Sequence, residues 1–212
     1  MNRRNFVKNT VIAGTAIALS SAAGISVLGS NTENKKMKIL VITGSPRKNG
    51  NSNTLADNFI KGAEDKGHTV VRFDSAFKNV HPCIACNKCG MNGNCVFNDD
   101  FNFIKDNIVN ADMVVFATPM YYFGISAQLK TVIDRFYSIN VKIRHPKKSA
   151  LLLTYADNSR IKEQPIKSHY EVLMSYLGWS SVGEIIAPGV WTEGSINKTR
   201  YPQMAYDLGK SL

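Results

Sequence analysis

Four cysteines, the only ones in this 212-residue chain, lie within a segment of thirteen residues. They follow the spacing C-x2-C-x2-C-x5-C, at Cys83, Cys86, Cys89 and Cys95. A Cys-x-x-Cys turn brings two thiolates to one metal, and Gly90 and Gly93 let the chain curl toward the fourth. The loop 81–97 is therefore a candidate metal site. Zinc accepts four thiolates, and the same residues could instead stay free thiols or form disulfides.

A second segment whose side chains could bind a ligand covers residues 44–53 and reads GSPRKNGNSN. It joins an apolar run to an amphipathic run. A turn between a strand and a helix is suited to anions, because the N–H groups and the dipole of the helix N-terminus favour negative charge. The loop adds hydroxyl, amide and basic donors, at Ser45, Arg47, Lys48, Ser52, Asn53 and Thr54. It contains neither a Walker A motif nor the dinucleotide motif G-x-G-x-x-G. The alternative interpretation is an ordinary polar turn with a helix cap.

A third segment, PMYYFGIS at residues 119–126, places three aromatic residues in succession after another apolar run. Three consecutive side chains of a loop cannot all face inward. We therefore expect Tyr121, Tyr122 and Phe123 to form an aromatic wall of a ligand site. The alternative is that they pack in the core.

The elements that must position these loops alternate between strand and helix. Short continuous apolar runs predict buried strands at 37–43, 68–74, 112–118, 149–155 and 182–190. Apolar residues at helical spacing predict helices at 54–67, 99–110, 127–139, 166–178 and 196–210. This alternation predicts an α/β protein with a parallel sheet between helices. Its ligands should bind beyond the carboxyl ends of the strands, where the strand order reverses.

The N-terminal residues 1–30 are expected to be a signal segment rather than part of the fold. A basic start, MNRRNFVKNT, precedes an uncharged stretch of apolar and small residues at 11–28. This is the layout of an export signal, and the Arg-Arg-x-Phe-x-Lys run resembles a twin-arginine (Tat) signal. We therefore predict a periplasmic protein with a linker at 31–36 and one domain at 37–212. A stable membrane anchor is the alternative, and no other membrane contact is expected.

The charge of the chain favours anionic small molecules over nucleic acid. Lys and Arg number 26 against 16 Asp and Glu, which gives a net charge of +10. The basic residues are scattered, with no run longer than two. Hydrophobic residues make up 44% of the chain and charged residues 20%, which excludes a disordered or low-complexity protein.

The loop GSPRKNGNSNTLA and the segment ATPMYYFGISAQLKTVIDRF resemble the two flavin loops of the flavodoxin-like NAD(P)H-dependent FMN reductases. The segment GVWTEGSI resembles their C-terminal segment, so the resemblance covers nearly all of residues 37–212. It implies a flavodoxin-like three-layer sandwich, with five parallel strands in the order 2-1-3-4-5 and helices on both faces. It also implies a homodimer.

The same resemblance assigns residues to FMN. The phosphate would be held by Ser45, Arg47, Asn51, Ser52 and Asn53. The flavin ring would be bordered by Pro119, Met120, Tyr121, Tyr122, Phe123 and Gly124. The other side of the site would be closed by Thr154 and Tyr155. No catalytic side chain is expected, because flavin hydride chemistry needs no protein nucleophile.

The function implied is an FMN-dependent oxidoreductase that passes hydride or electrons from NAD(P)H to a quinone, flavin or other small acceptor. Export conflicts with NAD(P)H as the donor, since nicotinamide cofactors are not expected to be abundant outside the cytoplasm. A membrane quinol or a redox protein is therefore an alternative donor.

The cysteine segment resembles that of the iron–sulfur flavoproteins, which bind a 4Fe-4S cluster beside FMN. This resemblance implies that Cys83, Cys86, Cys89 and Cys95 are cluster ligands. It makes an electron carrier between redox proteins the alternative function. A third hypothesis is a non-redox module whose polar loop holds a different phosphate.

Overall fold

The computed structural model describes residues 35–212, and the predicted signal segment at 1–30 lies outside them. The strands are β1 (Lys38–Thr43), β2 (Thr69–Asp74), β3 (Met113–Tyr121), β4 (Gly124–Ile125), β5 (Lys148–Thr154) and β6 (Ser180–Ala187). The α-helices are α1 (Asn51–Asp65), α2 (Phe101–Ile108), α3 (Ala127–Arg135), α4 (Asn140–Ile143), α5 (Gln164–Leu177) and α6 (Tyr201–Lys210). Within residues 35–212, no helix has both the length and the apolar character that crossing a membrane requires.

Five parallel strands form the sheet in the order β2-β1-β3-β5-β6. This is the predicted 2-1-3-4-5 order once the short strand β4 is set aside, and it confirms the flavodoxin-like fold class. Thr43 at the end of β1 lies level with Asp74 of β2 and with Ala117 of β3. The strand order reverses at β1 and β3, so the loops that follow these two strands meet at the carboxyl edge of the sheet.

The apolar core lies in two layers, one on each face of the sheet. Alternate residues of β1 contribute to both, since side chains along a strand point to opposite faces. Ile39 and Val41 pack in the layer that contains α1 and α6, whereas Leu40 and Ile42 pack in the layer that contains α2, α3 and α5. The helices α1 and α6 touch through their backbones, because a Cβ at Gly62 would overlap the carbonyl group of Tyr206.

The segment 119–126, predicted as a loop, is partly a β-hairpin. Strand β3 continues to Tyr121, and β4 pairs with it in an antiparallel register that places Tyr121 opposite Gly124. Tyr122 and Phe123 form the turn, with φ angles of +44° and +64°. Two residues with positive φ are typical of a type I′ hairpin turn, which normally selects Asn or Gly. Aromatic residues here carry backbone strain.

Candidate functional site

A cavity of about 430 Å³ lies at the carboxyl edge of the sheet, where the loops after β1, β3, β5 and β6 converge. This volume is in the usual range for small-molecule sites. Most of the residues predicted to contact FMN line it, namely Ser45, Arg47, Asn51, Ser52, Pro119, Met120, Tyr121, Tyr122, Thr154 and Tyr155. The other lining residues are Gly50, Ala156, Val190 and Trp191.

The first turn of α1 forms one end of this cavity. The helix begins at Asn51, three residues before the predicted start, and no side chain caps its N-terminus. The first backbone hydrogen bond of this helix runs from the Thr54 N–H to the Gly50 carbonyl oxygen, at 3.0 Å. The N–H groups of residues 51–53 therefore lack an intrahelical acceptor. The first turn also has no acidic residue, so this helix end favours an anion.

Ser52 adds a buried hydroxyl to the same helix end. The residue is 1% exposed, and its Oγ has no hydrogen-bond partner within the described part of the chain. Leaving such a group unsatisfied costs about 1–3 kcal/mol. A phosphate oxygen in the cavity would accept this hydrogen bond, and the exposed Arg47 would add positive charge. The residues at this end therefore fit a phosphate group.

Asn53 shapes the loop instead of lining the cavity. Its Nδ2 donates to the carbonyl oxygens of Arg47, at 2.8 Å, and Lys48, at 3.1 Å. Ser45 Oγ accepts a hydrogen bond from the Arg47 N–H, at 3.2 Å. A Cβ at Gly50 would press against Ser45 Oγ and the Arg47 carbonyl, so a larger residue there would displace the Ser45 hydroxyl. These bonds hold the loop around the helix start.

The amide of Asn51 is directed to a distant loop. Its Nδ2 donates to the carbonyl oxygens of Val190, at 3.2 Å, and Thr192, at 2.9 Å. Its Oδ1 accepts from the Ile196 N–H, at 3.4 Å. The structure therefore gives this side chain a positioning role that the resemblance did not suggest. It ties α1 to the loop after β6, which carries Trp191.

The loop after β5 closes the opposite side of the cavity. Tyr155 is buried, and its carbonyl oxygen accepts from the Val190 N–H at 3.0 Å. Its hydroxyl donates to Glu163 at 2.7 Å. Burial and this hydrogen bond raise the pKa of Tyr155 above its usual value. The hydroxyl therefore stays protonated and bonded to Glu163, and Tyr155 lines the cavity as a neutral residue.

Aromatic side chains form an exposed rim around the cavity. Tyr122 is fully exposed and Trp191 is 76% exposed. A second concavity of about 490 Å³ shares Tyr122, Trp191 and Tyr155 with the first, and Phe123 lines only this second one. Gly124, which lies in β4 opposite Tyr121, lines neither of these two cavities. Trp191 was not among the predicted site residues, although a tryptophan directly after the last strand was an available signal.

The cysteine loop occupies a separate place. Cys83, Cys86, Cys89 and Cys95 are free thiols that line one small cavity, together with Arg135 and Tyr137. Positive φ angles occur in this loop at Ala85, Asn87, Gly90, Met91 and Gly93. Within residues 35–212, no three His, Cys, Asp or Glu side chains are placed to hold a single metal ion.

A buried ion pair anchors this loop to α3. Arg135 Nη1 lies 2.8 Å from Asp99 Oδ2, and the two side chains are 1% and 2% exposed. Asp99 also accepts hydrogen bonds from the backbone N–H groups of His81, at 2.9 Å, and Phe101, at 3.1 Å. Burial raises the pKa of Asp99, but the hydrogen bonds from Arg135 and the two N–H groups outweigh it and lower that pKa below its usual value. Asp99 is thus a carboxylate that joins both ends of the loop.

Comparison with known proteins adds a family and a fold. The sequence profile described as NADPH-dependent FMN reductase matches residues 37–187. An iron–sulfur flavoprotein from Archaeoglobus fulgidus is 38% identical over 99 residues, which cover 47% of this chain and 45% of that protein. A Bacillus subtilis protein, provisionally named an NAD(P)H-dependent FMN-containing oxidoreductase, is 28% identical over 161 residues, which cover 72% of this chain and 86% of that protein.

Among solved structures, an NAD(P)H:quinone oxidoreductase from Methanothermobacter marburgensis aligns with a TM-score of 0.67 and 16% identity. The alignment covers 83% of this chain and 96% of that chain, and at this identity it shows the shared fold alone. The chain spans about half the length of the iron–sulfur flavoproteins that it matches.

The role of Asn51 gives a testable prediction. Asn51→Ala removes the hydrogen bonds to Val190, Thr192 and Ile196, so the loop after β6 should separate from α1. We expect amide hydrogen exchange across 190–196 to accelerate at least about tenfold, and the free energy of unfolding to fall by about 1–3 kcal/mol.

The matched control for this prediction is Asn58→Ala, because Asn58 Nδ2 donates only within α1, to the Thr54 carbonyl at 2.8 Å. It should leave exchange in the distant loop unchanged. Equal exchange rates across 190–196 in the wild type and in Asn51→Ala would show that Asn51 does not hold this loop.

Proposed function

This chain belongs to the NADPH-dependent FMN reductase family, and on that premise we propose that it is an FMN-dependent oxidoreductase. It takes hydride or electrons from NAD(P)H or another donor and passes them to a quinone, flavin or other small acceptor. The observation that carries this proposal is the cavity at the carboxyl edge of the sheet. An anion-binding helix end closes one side of it, and aromatic residues form its rim.

The described residues suit both ends of an FMN molecule, its phosphate and its ring system. The uncapped start of α1, the unpartnered Ser52 hydroxyl and the Arg47 cation suit the phosphate. Tyr121 and Tyr122 of the hairpin, with Trp191, provide flat apolar surface for the ring system. Bound FMN supplies the hydride and electron chemistry. The chain binds the cofactor, orients it and restricts its contact with water.

The second concavity suits a small planar molecule as the electron acceptor. It adjoins the first through Tyr122, Tyr155 and Trp191, so a molecule in it lies beside the cofactor position. Its two charged residues, Asp157 and Lys162, form an ion pair with each other. The local charge is therefore balanced, which favours a neutral aromatic molecule such as a quinone over a strongly charged one.

The test of FMN binding compares FMN with riboflavin, which lacks the phosphate. Ser52→Ala removes a hydrogen bond to a charged group, worth about 1.5–3 kcal/mol. We expect the Kd for FMN to rise about 10- to 150-fold, and the Kd for riboflavin to change little. Isothermal titration calorimetry measures both.

A matched control for this substitution is Ser175→Ala, on the exposed face of α5. This variant should bind both flavins as the wild type does. A wild type that binds neither flavin would overturn the proposed function. An equal loss of both ligands in Ser52→Ala would show that the phosphate lies elsewhere.

We further propose that the four cysteines hold a 4Fe-4S cluster. Four thiols line one cavity, and the loop that carries them contains five residues with positive φ. No three of these side chains are placed to hold a single ion in the described chain. Four cysteine thiolates are the ligand set of a 4Fe-4S cluster, and zinc, which also accepts four thiolates, is the alternative.

A bound cluster would support the second candidate function, an electron carrier between redox proteins. The donor, the redox-protein partner, the homodimer and periplasmic export through the Tat route stay predictions of the sequence.

Anaerobic reconstitution tests the cluster. The full chain is incubated with iron and sulfide, or separately with zinc, and bound metal and sulfide are measured. We expect about four iron and four sulfide per chain in the wild type. Cys86→Ser should lose most of this iron but still bind FMN. Binding of one zinc with no uptake of iron and sulfide would contradict the cluster.

A further inference from the structure

Tyr122 and Phe123 form the turn between β3 and β4 in a backbone conformation that aromatic residues rarely adopt. Their φ angles are +44° and +64°. A left-handed backbone is costly for a residue with a bulky side chain, whereas Asn-Gly fits such a turn without strain. Strained residues persist where the surrounding structure holds them, and they cluster at ligand sites. The surroundings of the Phe123 ring therefore indicate why the turn keeps an aromatic residue.

Packing within the chain does not account for this ring. Phe123 is 53% exposed, and among residues 35–212 it belongs to neither apolar layer of the core. It also stacks on no other aromatic ring of the described chain. An aromatic side chain that is strained, exposed and outside the core contributes little to stability. Contact with a ligand is therefore the better explanation for it.

The concavity of about 490 Å³ shows which ligand the ring can reach. Phe123 lines this concavity and not the cavity assigned to FMN, whereas Tyr122, Tyr155 and Trp191 line both. Phe123 is thus the aromatic residue that belongs to the acceptor position alone. Because the two charged side chains of this concavity pair with each other, its aromatic surface is the feature that a ligand there can use.

We propose that Phe123 binds the acceptor: its ring stacks on a neutral planar molecule of the quinone class, and the strained turn is retained for this contact. Aromatic rings attract one another in offset or edge-to-face arrangements, beyond the area that they bury. A glycine at position 123 would relieve the strain but remove the ring, so stability and acceptor binding make opposite demands on this residue. This inference rests on the proposed function, because the acceptor position is defined by its place beside the cofactor.

Binding of duroquinone to the full chain loaded with oxidised FMN tests this contact. Every ring carbon of this quinone is substituted, so it does not add to the cysteine thiols. Phe123→Ala and Phe123→Gly remove the ring, and we expect each to raise the Kd for duroquinone, measured by equilibrium dialysis, about tenfold. Phe123→Tyr keeps the ring, and its Kd should stay within about twofold of the wild type. The Kd for FMN should be unchanged in these variants, because Phe123 does not line the FMN cavity.

The same variants measure the strain, because alanine and glycine both lack the ring and only glycine adopts a positive φ freely. The folding equilibrium constant, from urea unfolding, should be at least about fivefold larger for Phe123→Gly than for Phe123→Ala. The control is Phe103→Ala on α2. Phe103 is 44% exposed, which is similar to Phe123, and it lines neither concavity. This variant should leave the Kd for duroquinone unchanged.

The outcomes separate this inference from the proposed function. A wild type that binds no FMN overturns both. A wild type that binds FMN but no duroquinone, or a Kd for duroquinone that Phe123→Ala and Phe123→Gly leave unchanged, overturns the acceptor contact alone. Loss of FMN from these two variants would show that Phe123 holds the cofactor, and would likewise overturn its role toward the acceptor. Equal folding equilibrium constants for the two would show that the turn is not retained at a cost in stability.

Discussion

The unsatisfied hydrogen-bonding capacity at the start of α1 is the constraint on which the rest of the site depends. Residues 51–53 present free N–H groups, and Ser52 adds a buried hydroxyl without an acceptor among the described residues. Such groups are costly in a native protein unless a ligand or water completes them. The fold holds them in place through the parallel pairing of β1 with β3, which brings the loop after β1 next to the aromatic hairpin. The proposed contacts with the phosphate and with the ring system therefore both depend on the place where the loop after β1 meets the hairpin.

The sequence was sufficient to predict the sheet and most of the cavity. Continuous apolar runs are a strong signal for strands buried on both faces, and their alternation with helices leaves few topologies. The strand β4 was missed for a physical reason: Tyr122 and Phe123 adopt positive φ angles that are normally reserved for Asn and Gly. The sequence predicts a loop there, but neither the residue types nor the hydrophobic pattern indicates a two-residue hairpin turn. Strain of this kind is expected at functional sites.

Other features could not be read from the chain because they join distant residues. The amide of Asn51 resembles a phosphate ligand in the local sequence, yet its donors are taken by Val190 and Thr192, about 140 positions away. Arg135 and Asp99 are 36 positions apart, and nothing in their local sequence marks them as the pair that anchors the cysteine loop. Tertiary hydrogen bonds of this type decide which atoms a side chain contacts. A sequence motif therefore predicts where a residue lies in the fold more reliably than it predicts what the side chain of that residue contacts.

The most direct test of the central claim is the protonation state of the bound phosphate. Free FMN loses its second phosphate proton near about pH 6, so its phosphorus-31 resonance moves between about pH 5 and 8. In the FMN-loaded chain, the N-terminus of α1, Ser52 and Arg47 should hold the dianion. The bound resonance should then stay at the dianion position across this range. A bound resonance that titrates like that of free FMN would contradict the account.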